Sequence, residues 1–266
     1  MTIALIGGGN MARSLAGGLL RAGVAPGDII VSDPSAEARS AVAALGVHTA
    51  TDNARSVSGA DTVVLAVKPQ AMEAVSAEIR DAVCKYQPLI ISIAAGIGCS
   101  ALSRWLGEPA IVRAMPNTPA LVGASMTVLF PGHGVDLDHR RRAESIMRAV
   151  GEVEWVHDEA LMDAVTAVSG SGPAYFFLVM EALEQAGVDA GLDAGLARRL
   201  VRQTAVGAAL MAASDSPALL RARVTSPGGT TEQGIAALER AGLRNAFATA
   251  VTAACRRSRE LADRYR

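Results

Sequence analysis

Residues 3–23 read IALIGGGNMARSLAGGLLRAG, and the fold turns on how that stretch is understood. A short apolar run enters three glycines, and apolar residues at helical spacing follow. Gly7-Gly8-Gly9-Asn10-Met11-Ala12 fits G-x-G-x-x-G/A with alanine in the last place. In that pattern Gly7 permits a tight turn, and Gly9 lets a pyrophosphate approach the backbone. Ala12 lets the helix lie close on the strand, so that its positive N-terminus faces the anion. A glycine fingerprint alone is weak. Here it stands between a predicted strand and a predicted helix, and Asp33 ends the next apolar run, 24 residues past Gly9. Together these predict a dinucleotide site.

The same grammar continues outward. IIVSD (29–33), VVLAV (63–67), LIISI (89–93) and AIVRAM (110–115) read as buried strands, with helical periodicity over 10–23, 34–46 and 71–83. Continuous apolar strands alternating with helices predict a parallel, doubly wound sheet. SMTVLF (125–130) and EVEWV (152–156), joined by a helix near 136–149, extend it. After residue 158 the strand signal stops, and 174–187, 195–214 and 243–265 read as long helices rich in Ala and Gly. Several are apolar around most of their circumference, which marks a buried helix. This half is too small to bury all those faces within itself, so burial against a second subunit is expected. The fold class is therefore α/β: a doubly wound parallel sheet over 1–158, then an all-helical dimerisation domain over 159–266.

Composition narrows the function. Half of the 266 residues are hydrophobic but only 3% are aromatic, and the formal net charge is −1. With no basic run longer than Arg140-Arg141-Arg142, nucleic acid is not an expected partner. Cys84, Cys99 and Cys255 stand singly without a CxxC, which argues against a disulfide framework or a zinc site. MTIALIGGGN has no positive region ahead of its apolar residues, and no apolar run approaches the roughly 18 residues of a membrane span. A soluble, cytoplasmic protein with no membrane partner is expected.

Several residues beyond the glycine turn are candidates for the site. A carboxylate at Asp33 would accept hydrogen bonds from the ribose of NAD and repel the 2′-phosphate of NADP, or it would cap the helix that follows. Ser32, Ser35, Arg39 and Arg55 lie near enough in sequence to favour the phosphate. AVKPQ (66–70) places Lys68 at a strand's C-terminal end, where such sheets bind ligands, although an exposed loop lysine fits too. IAAGI (93–97) ends another strand in small residues. Two further stretches, SGSGP (169–173) and VTSPGGTT (224–231), put glycines and hydroxyls ahead of helices, where unpaired N–H groups would face an anion. The plainer reading of the second is a capping box, Thr230 to Gln233. Two such cradles beside a dinucleotide fold suggest a small carboxylate as substrate.

His48, His133, His139 and His157 have no metal spacing, and no G-x-S-x-G is present. Reducing a ketone calls for a general acid at the developing alkoxide. A protonated imine already carries the charge that hydride neutralises, so a hydroxyl that orients the nitrogen would suffice.

Taken together, IGGGNMA, AVKPQ, SIAAG, MPNTPA (115–120), AVSGSGPAY (167–175) and VTSPGGTT resemble pyrroline-5-carboxylate reductase, in order and along essentially the whole chain. The resemblance implies a Rossmann domain followed by a helical dimerisation domain, often in rings of dimers. It implies hydride transfer from NADPH, or NADH, to the C=N carbon of 1-pyrroline-5-carboxylate, giving L-proline. By position it assigns Ile6, Gly7, Gly8, Gly9, Asn10 and Met11 to the pyrophosphate, and Asp33, Ser35 and Asn53 to the adenosine ribose. Ala66, Val67, Lys68, Pro69, Ala94 and Ala95 border the nicotinamide, with Asn117 near the junction with substrate. Ser226, Gly228, Gly229 and Thr230 would hold the substrate carboxylate, Thr231 the ring nitrogen, and Glu159 and Ser171 would lie near the substrate. Several members of the family carry serine where Asp33 stands, which leaves NADPH against NADH open. Arg223 replaces an asparagine of the substrate site in some members and receives no role.

A β-hydroxy-acid reductase of similar architecture would need a catalytic lysine on a helix of the second domain. Lys68 and Lys85 are the only lysines in the chain. The other rivals are a reductase of another cyclic imine and a nucleotide-sensing protein without catalysis.

Overall fold

The computed structural model describes residues 1–265. Eight strands form one sheet: β1 (Ile3–Ile6), β2 (Ile29–Ser32), β3 (His48–Ala50), β4 (Thr62–Leu65), β5 (Leu89–Ser92), β6 (Ile111–Met115), β7 (Ser125–Pro131) and β8 (Gly151–Trp155). Their order is β3-β2-β1-β4-β5-β6-β7-β8. All neighbouring pairs are parallel except β6 with β7. The connections are α1 (Asn10–Arg21), α2 (Ala36–Ala43), α3 (Asn53–Val57), α4 (Met72–Tyr86), α5 (Cys99–Leu106) and α6 (Leu137–Arg148).

The seven expected strands all lie in the sheet, and two details differ from expectation. The edge strand His48–Ala50 has no apolar run to announce it. The stretch at 125–130 does not extend the sheet in parallel: it runs antiparallel to β6. A parallel return needs a crossover of a dozen or more residues. The chain offers only 116–124 between β6 and β7, so it must turn straight back.

The order of the strands reverses at β1, between β2 and β4, and a sheet wound both ways from that point is covered on both faces. The first strand shows this residue by residue. Ile3 and Leu5 point into one core with Leu15, Leu19 and Ile146, whereas Ala4 and Ile6 point into the other with Met72, Ile79 and Leu102. All four are fully buried, and successive side chains of a strand do face opposite ways. Truncating Leu5 to alanine would cost about 2–5 kcal/mol. Gly18 lets α1 press against the backbone of Ala149, where any side chain would collide.

The remaining helices are α7 (Leu161–Val165), α8 (Gly172–Asp189), α9 (Ala194–Met211), α10 (Pro217–Arg223), α11 (Thr230–Arg240) and α12 (Leu243–Ala262). Two compact units result: Met1–Ser171 together with the chain from Ala253 onward, and Gly172–Thr252. The sequence grammar changes near residue 158, whereas the contacts change at 171/172 and again at 252/253. In the second unit α8 and α9 pair with each other, and the rest of their apolar surface stays open. Phe176 is 73% exposed, Leu178 64% and Leu210 71%. Among the described residues no helix is long and apolar enough to cross a membrane.

Candidate active site

At the end of β1 the glycines perform three different tasks. Gly7 has φ +103°, and a Cβ there would lie 2.7 Å from the carbonyl oxygen of Ala66 at the end of β4. Only glycine fits so close a turn. A Cβ on Gly8 would meet Asp33 and Ala38 at 3.2 and 3.3 Å. Gly9 is the N-cap of α1 and accepts the Arg13 N–H, yet nothing lies within 4 Å of where its Cβ would be. The N–H groups of Asn10 and Met11 precede the first helical bond and have no cap, at a positive helix end with space beside Gly9, which fits a dinucleotide pyrophosphate.

Asp33 is committed to the same turn. Its Oδ2 accepts the Gly8 N–H at 2.7 Å and its Oδ1 the Ser35 N–H at 2.8 Å. The N-cap of α2 is Ser35, whose Oγ accepts from Ala38 N, so Asp33 is not the cap. Arg39 Nη1 donates to the Asp33 and Pro34 carbonyls, each at 2.8 Å, which brings a guanidinium to this end of β2. Asn53 opens α3, is buried, and donates to Glu78.

Ala66, Val67, Lys68 and Pro69 follow β4, and Ala94 and Ala95 follow β5, so both groups sit at the C-terminal edge of adjacent strands beside the glycine turn. Lys68 precedes a 3₁₀ turn begun by Pro69 and is exposed. Asn117 is a tie between segments. Its Oδ1 accepts from Ser125 Oγ and Met126 N–H, and its Nδ2 donates to the Ser169 carbonyl at 3.2 Å.

Glu159 stands just ahead of α7. Its Oε1 accepts from Arg113 at 2.7 Å and from the Cys99 N–H at 2.8 Å, so one carboxylate oxygen serves a strand and the N-terminus of α5. Arg113 is 9% exposed in an otherwise apolar strand. No sequence expectation falls on it, although a lone charge in a buried apolar run signals a buried partner. Burial, and next the Glu159 charge, push the Cys99 thiol up to about 12.

The SGSGP stretch is not the open cradle expected of it. Residues Thr166–Gly170 form a π-helical turn that leads from α7 into α8, and the Ser171 N–H is spent on the Thr166 carbonyl at 2.8 Å. The helix does not restart there, so no free N–H cluster arises at Ser171. Such π turns do gather at functional sites. This one is tied to Asn117 through Ser169.

The second cradle is open. Thr225 through Gly229 leave the helical path, with Gly228 at φ +74°. Gly229 lies so near Ser226 that a Cβ would stand 2.6 Å from its Oγ. The expected capping box at Thr230 does not form. Gly229 is the N-cap of α11 and offers no side chain, while Glu232 reaches back to the Gly228 N–H at 2.7 Å. The first bond of the helix comes from Gln233 to Gly229, which leaves the N–H groups of Thr230, Thr231 and Glu232 ahead of it. Among the described residues the hydroxyls of Ser226, Thr230 and Thr231 make no hydrogen bond. Loop and helix start therefore present unspent N–H and O–H donors to an oxyanion, with the Glu232 carboxylate already holding the Gly228 N–H.

A doubly wound sheet with a glycine turn at its reversal point, joined to a helical unit with an anion cradle, defines a dinucleotide-linked oxidoreductase. Relatives of the chain narrow the class. A model described as "NADP oxidoreductase coenzyme F420-dependent" matches residues 2–96, and "Pyrroline-5-carboxylate reductase dimerisation" matches 159–261. The chain is 49% identical to a pyrroline-5-carboxylate reductase of Pseudomonas aeruginosa, over 98% of this chain and 97% of the relative. The solved reductase of Coxiella burnetii is 46% identical, with 98% of each chain covered and a TM-score of 0.93. That of Plasmodium falciparum, solved with NADP bound, is 30% identical over 98% of each chain at 0.87. The chain belongs to the pyrroline-5-carboxylate reductase family.

Proposed function

We infer that this chain reduces the C=N bond of 1-pyrroline-5-carboxylate with NAD(P)H, giving L-proline. The observation that carries the reading is the cluster of unspent N–H and hydroxyl donors at 226–231, in a chain related to these reductases from end to end. Bound at the glycine turn, the reduced nicotinamide would supply the hydride. Asn10 and Met11 would hold its pyrophosphate by their N–H groups, with Ile6, Gly7, Gly8 and Gly9 shaping the turn. Asp33, Ser35 and Asn53 would lie about the adenosine ribose. Ala66, Val67, Lys68, Pro69, Ala94 and Ala95 would wall the nicotinamide, with Asn117 holding the neighbouring segments in register.

In the second unit Ser226, Gly228, Gly229 and Thr230 would take the substrate carboxylate. Gly228 would first have to share its N–H with Glu232. Thr231 would orient the ring nitrogen through its hydroxyl, and no acid–base residue is then needed, because the iminium arrives protonated. Oε1 of Glu159 is spent on Arg113 and Cys99, so only its other oxygen is available to a substrate. Ser171, with its N–H used in the π turn, would act through its hydroxyl.

The open faces of α8 and α9 suit a dimer. The division of labour is a nucleotide domain over 1–158 and a substrate and dimerisation domain over 159–266. Rings of dimers are the assembly that the resemblance implies, and sedimentation would read it directly. A cytoplasmic protein without nucleic-acid or membrane partners fits the near-neutral charge.

The test is loss of the reduced nicotinamide's absorbance with 1-pyrroline-5-carboxylate, using NADPH and NADH separately. Turnover with either upholds the reading. Folded protein that binds nucleotide without turnover would overturn it. Asp33→Ser in the same assay is expected to raise the NADPH-to-NADH rate ratio about tenfold, equivalent to ~1.4 kcal/mol, by removing a negative charge near the 2′-phosphate.

A further inference from the structure

The loop after β5, residues 93–98, holds the small residues placed beside the nicotinamide. Ala94, Ala95 and Gly96 have no side chains long enough to anchor a loop, yet Ala94 is 7% exposed and Ile97 fully buried. What backs them comes from the far end of the chain. Gly96 has φ +74°, and a Cβ there would lie 3.1 Å from Leu261 Cβ and 3.5 Å from the Ala262 nitrogen. The last turns of α12 therefore lie directly on the loop, and both the backbone conformation and the lack of space require glycine.

Those turns are pinned on both sides of the contact. On one side Ser258, 5% exposed, donates to Asp163 Oδ1 of α7 at 2.6 Å. Arg259 lies 3.6 Å from the other Asp163 oxygen, and the Cys255 thiol points at the Asp163 carbonyl at 3.7 Å. On the other side Arg104 of α5 donates to the Tyr265 carbonyl at 3.0 Å. The Trp105 and Tyr265 rings meet edge-on, 6.0 Å between centroids. Tyr265 packs against the same core that contains Ala94, Ile97, Ala101 and Leu102. These ties reach α5, which follows the loop directly, and α7.

We propose that the end of α12 is a positioning element of the reductase site, with Ser258 and Tyr265 clamping it so that Gly96 and its neighbours form a rigid wall for the nicotinamide. The proposal rests on the nucleotide reading of the first unit. It predicts that loosening the clamp weakens the grip on the nicotinamide half of the cofactor and spares the adenosine half.

The experiment compares wild type with the Ser258→Ala/Tyr265→Ala double variant, titrating each with NADPH, followed by its own fluorescence, and with 2′,5′-ADP, followed by calorimetry. The dissociation constant for NADPH is expected to rise about tenfold while that for 2′,5′-ADP stays unchanged. KM for NADPH should rise with it, and Tyr265→Phe, which keeps the ring contact, should bind as wild type does. Unchanged NADPH affinity in the folded double variant would overturn the proposal, and so would equal weakening of both ligands. Should the double variant not fold, Tyr265→Ala alone, which keeps the Asp163 bond, is held to the same standard. A wild type that binds neither NADPH nor NADH would instead remove the nucleotide reading, and the proposal with it; a wild type that binds NADH alone is tested with NADH and ADP in their place.

Discussion

Arg113 Nη1 lies 2.7 Å from Glu159 Oε1, and that oxygen also receives the Cys99 N–H. Three segments distant in sequence thus depend on one carboxylate. The Arg113 side chain is 10% exposed and that of Glu159 34%, so the two halves of the pair are unequal. Glu159→Ala strands a buried guanidinium and should cost about 2 kcal/mol, below the 3–5 kcal/mol of fully buried pairs because water reaches the carboxylate side. Glu159→Gln keeps an acceptor for the Cys99 N–H and should cost less. Urea unfolding midpoints decide it. Equal midpoints for wild type and Glu159→Ala would mean that the pair is structurally idle.

The glycine turn separates folding from binding. Gly7→Ala forces a Cβ at φ +103° against the Ala66 carbonyl, and should destabilise the protein by about 1–3 kcal/mol as well as weaken nucleotide binding. Gly9→Val adds its side chain to empty space, so the fold should keep its melting temperature while nucleotide binding is lost. Calorimetry with NADPH and a thermal melt on both variants supply the check. A Gly9→Val protein that still binds NADPH normally would place the pyrophosphate elsewhere.

The first half of the chain was legible because its signals are local and repeated. Apolar runs at strand length, helical spacing between them and a glycine turn followed by Asp33 each name their own element. His48–Ala50 escaped because a three-residue edge strand pairs on one side only and carries no apolar run. The reversal at β7 was readable in principle, since nine residues cannot cross over a sheet. SGSGP reads as an anion cradle ahead of a new helix, with Pro173 near its first turn. In the structure the helical path runs on: Pro173 has no N–H for the Ser169 carbonyl, which takes Asn117 Nδ2 instead, and the π turn takes up Gly170 while Gly172 opens α8. The partnership of Arg113 with Glu159 joins residues 46 positions apart. No periodicity encodes it.

Cysteine reactivity tests the buried end of that same cluster. The Cys99 thiol is pushed from an ordinary 9.0 up to about 12, by burial first and by the Glu159 charge next, whereas Cys84 is exposed. The native protein should therefore react with iodoacetamide at Cys84 well before Cys99, because the thiolate is the nucleophile. The sign for stability follows. Between pH 9 and about 12 the folded state holds a proton that the unfolded state has lost, so this thiol's contribution is full below pH 9 and declines as pH rises through that window. Peptide mapping after brief alkylation at neutral pH reads the order of labelling, and Cys99 labelled as fast as Cys84 would show that the α5 N-terminus opens readily.

Thr231 is where stability and chemistry should part most cleanly. Its side chain is exposed, and its hydroxyl has no hydrogen-bond partner among the described residues, so Thr231→Ala should shift the unfolding free energy by no more than about 0.5 kcal/mol. If the hydroxyl orients the imine nitrogen, kcat/KM for 1-pyrroline-5-carboxylate should fall about 10- to 100-fold, with NADPH affinity unchanged. Thr231→Ser should retain most of the activity. Thr231→Val, of the same shape but without the hydroxyl, should behave as alanine does. Steady-state kinetics on the three variants separate the hydroxyl from the backbone. Full activity in Thr231→Ala would leave substrate recognition to the N–H groups at the start of α11, and the nitrogen would then need another partner.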